Sequence, residues 1–251
     1  MKLTYHFLLY IMGPLNDFNT MFQAGDAMVG YFHVEIERIL RKLMGKFVRT
    51  SVITVSASIT EVIFMSPENQ HYKSLLAVGM EARHFIHNNP DDISPTQLSS
   101  FRSVRSFYEE VTTKMLAKFP FNDQTLKAYG YLNLERRLEI SVEAVLQLSG
   151  RLVTATDKQC QLEDKFRDFQ LSPASDLPSF TQGETPLDVF WIDISRVSTP
   201  LKKPRFPNLV KLAMAALSLP HSNADPEHCF SMLRKIQTDH HGNLCGKTFD
   251  R

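Results

Sequence analysis

The stretch from Asp225 to Cys245 sets Glu227 beside His228 and Cys229, with His240, His241 and Cys245 further along. Such side chains can ligate a divalent metal or carry protons. Zinc sites, however, pair their ligands at short fixed spacings, and these residues have none of them, so the reading here is no metal and no cofactor. The local context gives Glu227 another role. Asp225 is a favourable N-cap and Pro226 suits the first helical position, which leaves Glu227 in a first turn where the helix dipole stabilises a carboxylate. Cys229, Met232, Leu233 and Ile236 then follow as a buried stripe.

Asp193, in "DVFWIDISRV", is the other candidate carboxylate. On a strand it would be presented as metal-binding aspartates often are. At helical spacing Leu187, Phe190, Trp191 and Ile194 form one apolar face and Asp193 points to water, and this reading is preferred. Arg38, Arg41, Lys42, Lys46 and Arg49 punctuate a second helix and offer a nucleic-acid contact, or simply a solvated face. "LKKPRFP", residues 201–207, is a smaller basic loop. The chain has no Gly-rich phosphate loop, no G-x-S-x-G and no H-E-x-x-H.

The elements that must position these residues read as helices. Leu8, Met12, Leu15, Phe18 and Phe22 recur at helical steps, with Gly13-Pro14 expected to kink or break that helix. Val29, Phe32, Ile36, Ile39, Leu43 and Phe47 repeat the pattern, and "SVITVSASITEVIF" reads as a helix end and loop, with a short strand as the alternative. Ser94, Pro95 and Gln97 open a long helix whose stripe runs Leu98, Phe101, Val104, Tyr108, Val111, Met115 and Phe119 until Pro120 stops it. A further helix is expected over 141–152, and "FPNLVKLAMAALSLP" is another. Residues 171–186, rich in Pro, Ser and Gly, read as the linker between domains at 1–170 and 187–251.

Composition agrees with a mostly α protein. Phe is abundant (18 residues) and Gly scarce (10), which suits aromatic-packed helices better than turn-rich sheets. A net charge of +1 supplies no global attraction to nucleic acid or membrane. Three scattered cysteines fit a reducing compartment, and no apolar run reaches the roughly 20 residues of a membrane span. The start resembles a signal peptide only briefly, since His6, Tyr10 and Gly13-Pro14 interrupt it. The expectation is an intracellular protein with no membrane partner.

The order of motifs adds a family. "FPNLVKLAMAALSLPHSNADPEHCFSMLRKIQTDHHGNL" resembles the C-terminal dimerisation region of hAT-superfamily transposases and their domesticated relatives, in which a Ser/Ala-rich turn precedes a helix opening Glu-Arg-x-Phe-Ser. "LLYIMGPLNDFNTMFQ", "SPENQ", "FYEEVTTKMLAKFPFND" and "FRDFQLSPASDLP" look like segments of the helical insertion domain in the same order. The resemblance implies a helical insertion domain followed by the C-terminal helical remnant of an RNase H-like fold. It also implies that Glu227 occupies the position of the family's third metal-binding carboxylate. His228 replaces the family's Arg. The two partner aspartates and the zinc finger are expected upstream of these residues.

Two-metal chemistry needs carboxylates converging on ions about 4 Å apart. Glu227 alone cannot supply them, so the expectation is no enzyme: catalytic residues none, Glu227 a relic, and protein association the retained activity. The residues expected to carry it are Phe206, Leu209, Leu212, Leu217, Phe230 and Leu233, whose pattern fits an interface or an intramolecular core equally. The expected partner is a second copy or a related hAT-derived protein. A DNA-associated regulator using residues 38–49, or a nuclease subunit completed by a partner chain, are the alternatives. The compartment is nuclear or cytoplasmic, nuclear by the resemblance.

Overall fold

A computed structural model describes residues 2–23, 28–89, 95–153 and 159–219 of the chain. The sequence expectations for Ser94, Glu227, Phe230 and Leu233, and the side chains of Phe22 and Leu98, lie outside what is described. The helices are α1 (Lys2–Gln23), α2 (Phe32–Met44), α3 (Thr50–Val55), α4 (Met80–Asn88), α5 (Pro95–Lys118), α6 (Gln124–Ala128), α7 (Val142–Leu152), α8 (Gln159–Leu171), α9 (Leu187–Arg196) and α10 (Pro207–Leu217). Among the described residues extended pairing is limited to two isolated bridges, Val48 with Gln70 and Ser198 with Pro204. The described residues are mostly helical, in line with the composition.

Two apolar cores organise these helices. The first joins α1 to α5. Ile36, Leu40 and Leu43 of α2 share this core with Phe7 and Ile11 of α1 and Tyr108 of α5, whose ring stacks on Phe47 with centroids 5.7 Å apart. Tyr108 donates its hydroxyl to the Ala77 carbonyl at 2.7 Å, which pins the irregular segment 56–79 against α5. The second core joins α6 to α10 around Trp191, Phe166, Phe169 and Phe206.

The first helix departs from expectation in the face it buries, and it is not broken at Pro14. It runs on through that residue, because tertiary packing of its inner face outweighs one missing amide. That face is Leu3, Phe7 and Ile11, joined by Leu15 and Phe18, while Leu8 and Met12 are exposed at 43% and 56%. Both faces of α1 are apolar, so periodicity alone could not say which one is buried.

Residues 171–186 also behave differently from a spacer. Leu177 is buried and Phe180 packs on Phe190, so one core continues across this segment from α7 and α8 to α9 and α10. The core division falls earlier, between Phe121 and Ala128.

Candidate association region

The region that resembles a dimerisation module begins at a turn in which the Glu184 and Thr185 amides both donate to the Thr181 carbonyl. Pro186, in an extended conformation, launches α9. Leu187, Phe190, Trp191 and Ile194 recur at three- and four-residue steps and are all buried, as the helical reading requires. Asp193 lies on the outer side and pairs with Arg196 at 2.6 Å. Trp191 is fully buried, and its indole N–H donates to the Leu132 carbonyl at 2.9 Å, so its polar edge is satisfied inside the core.

A tight hairpin connects α9 to α10. The Lys202 amide donates to the Thr199 carbonyl and the Thr199 amide to the Lys203 carbonyl, both at 2.8 Å. Lys202 adopts the left-handed region at φ 59° to close it. Arg205, just after the hairpin, grips Asp168 of α8 with two nitrogens at 3.1 and 2.8 Å. The Arg205 hydrogen bond holds the Asp168 carboxyl below its ordinary value, against a smaller opposing effect of burial. Pro207 occupies the first turn of α10, which buries Leu209, Leu212, Ala213 and Ala216.

The expected association residues therefore divide. Phe206, Leu209 and Leu212 are buried in this chain's own core, and Leu217 is partly buried against it. In these four the sequence pattern marks intramolecular packing. What faces out of the region is Val189 and Ile192 on the far side of α9, exposed at 45% and 42%, with Leu201 at the hairpin tip and Leu219 after α10. Their sequence signal was present but slight: Val189 and Ile192 are apolar residues that fall off the α9 stripe.

The basic set is also divided. Arg38 pairs with Glu35 at 2.7 Å, and Arg41 donates two nitrogens to Glu37. Lys46 is buried, with its ammonium on the Tyr10 hydroxyl, and Arg49 lies over the Tyr72 ring. Lys42 is exposed. These five side chains do not form one continuous cationic face, because intrahelical carboxylates and a tyrosine claim three of them. No group of three or more His, Cys, Asp or Glu side chains converges as a metal site among the described residues.

Residues 184–248 match the family model of the hAT family C-terminal dimerisation region. Over these residues the chain is similar to hAT-family transposases. No curated protein and no solved structure matches it. Within the hAT match, the described part comprises α9, the hairpin and α10. This part is not an appendage: α10 packs on α7, α8 and α9, and Arg205 ties it to α8. No helix among the described residues is long and apolar enough to cross a membrane.

Proposed function

We propose that this chain is hAT-derived and works as a self-association module, two copies joining through the region 184–248. The match of that region to the hAT dimerisation model carries the reading. Core packing supports a division of labour within it. The inner stripes of α9 and α10 hold the region on the rest of the chain, while Val189 and Ile192 are free to meet a second copy. Exposed apolar residues at a dimerisation region are the groups whose burial drives association.

On this reading the chain contributes no catalysis. Glu227 is the residue of this sequence at the family's third-carboxylate position, the RNase H-like fold survives as a remnant, and the compartment is the nucleus. Incubation with supercoiled DNA and Mg²⁺ tests the catalytic half: nicking that Glu227→Gln abolishes would overturn it.

Size-exclusion chromatography with light scattering, over a concentration series, tests association. The wild type should form a discrete dimer that Ile192→Asp and Leu233→Asp each weaken without loss of helical circular dichroism. A folded monomer at every concentration would sink the reading.

A further inference from the structure

The two cores meet at a cleft of about 580 Å³, within the range of small-molecule sites. Its charged lining comes from both sides. Arg38, Arg41 and Glu37 of α2 face Lys127 of α6, Arg136 and Glu139. Four cations face two carboxylates of the lining, and Glu35, just outside it, pairs with Arg38, which still leaves a local positive excess in a chain whose net charge is only +1.

The cations are held ready for a ligand. Glu37 takes two nitrogens of Arg41, and Glu139 takes Nε and NH2 of Arg136 at 2.8 Å each, which fixes both guanidinium planes. Lys127 has no ion pair among the described residues. Ser141, the N-cap of the eleven-residue α7, lines the same cleft and brings the positive end of that helix to it. Val34, Ala128 and Ile140 supply apolar wall between the charges.

We propose that this cleft binds a phosphorylated small molecule, its phosphate held between Arg38 and Arg41 on one side and Lys127 and Arg136 on the other. Arginine forks and a lysine point charge suit phosphate oxygens, and the apolar wall suits an uncharged body attached to them. A nucleic-acid strand carries the same phosphate chemistry but needs a continuous cationic track. Lys46 is buried beside Tyr10 and Lys42 lies outside the cleft lining, so the track stops where the pocket ends. The proposal does not depend on self-association.

Isothermal titration with pyrophosphate, adenosine monophosphate, adenosine and a duplex oligonucleotide, at matched ionic strength, tests it. Pyrophosphate and the monophosphate should bind once per chain, and adenosine should not. Lys127→Gln and Arg136→Gln should each weaken binding by about tenfold, the scale of one charge-assisted contact. Glu139→Gln, which frees Arg136 and removes a repelling charge, should tighten it several-fold, a gain that misfolding cannot imitate. Lys202→Glu with Lys203→Glu, on the exposed hairpin, should leave it unchanged. Absence of small-anion binding, affinities insensitive to the cleft variants, or binding of the duplex alone would each overturn the proposal.

Discussion

Arg205 and Asp168 form a two-pronged ion pair, Nε to Oδ2 at 3.1 Å and NH2 to Oδ1 at 2.8 Å, that fastens the start of α10 to α8. Both side chains keep roughly a quarter to a third of their exposure, 24% for Arg205 and 33% for Asp168, so solvent screens the pair. Its worth is about 1 kcal/mol, the upper end for such surface-accessible pairs with good geometry. Because Arg205 lowers the Asp168 carboxyl below 3.8, the stabilisation is complete above that value and fades as pH falls through the lower folded value. Asp168→Asn should therefore cost about 1 kcal/mol in urea unfolding at pH 7. The gap to wild type should close as pH falls below 3.8 through the lower folded value. A gap that persists in acid would assign the loss to packing.

Tyr131 is fully buried, and its hydroxyl has no hydrogen-bond partner among the described residues. Burial also pushes that hydroxyl's proton affinity well up, so it stays neutral throughout the physiological range. A desolvated, unpaired hydroxyl costs on the order of 1–3 kcal/mol, and the ring keeps its edge contacts with Phe166 and Trp191 without it. Tyr131→Phe should raise stability by about 1 kcal/mol, seen as a higher melting temperature. A lower one would mean that the hydroxyl is bonded after all.

Gly79 precedes α4 at φ 90°, and a Cβ there would stand 2.7 Å from the Cβ of Tyr10. That neighbour is not a pliable side-chain tip, and its hydroxyl also receives the buried Lys46 ammonium. Gly79→Ala thus combines backbone strain, steric overlap and disturbance of a buried charge. The expected cost is about 2–4 kcal/mol by denaturant unfolding. A loss under about 0.5 kcal/mol, typical of surface changes, would show that α1 can step aside.

Much of this architecture was legible because single-stripe helices state their own orientation. In α9, Leu187, Phe190, Trp191 and Ile194 left one face for the core, and the helix expected over 141–152 is α7, where the Ser141 hydroxyl accepts from the Ala144 amide at 3.2 Å as N-cap. The readings that failed share a cause: the deciding interaction was non-local. In α1 two apolar faces compete, and contact with α4 and α5 chooses Phe7 over Leu8. Residues 171–186 had linker composition, yet Leu177 and Phe180 found a core that no local pattern reveals. Lys46 looked like one more surface cation until Tyr10, 36 residues earlier, covered it. The association residues were ambiguous for the same reason, since a buried stripe looks alike whichever molecule buries it.

That ambiguity yields a contrast between two aspartate substitutions in one region. Leu209 is fully buried among the α7, α8 and α9 side chains, whereas Ile192 keeps 42% of its surface exposed. A carboxylate at Leu209 would have to be desolvated without a partner as well as lose its apolar contacts, a cost of several kcal/mol that threatens the whole second core. At Ile192 the carboxylate stays in water, so the monomer should keep its stability within about 0.5 kcal/mol. Trp191, the sole tryptophan, is buried in the same core as Leu209 and adjoins Ile192 in the chain, so it reports the core directly. Leu209→Asp should therefore shift its fluorescence to the red and lower the unfolding midpoint, while Ile192→Asp should leave emission native and change only the mass measured by light scattering. Were Leu209→Asp to remain native in fluorescence and lose association alone, the α10 stripe would be an intermolecular surface and the packing order described for this region would be reversed.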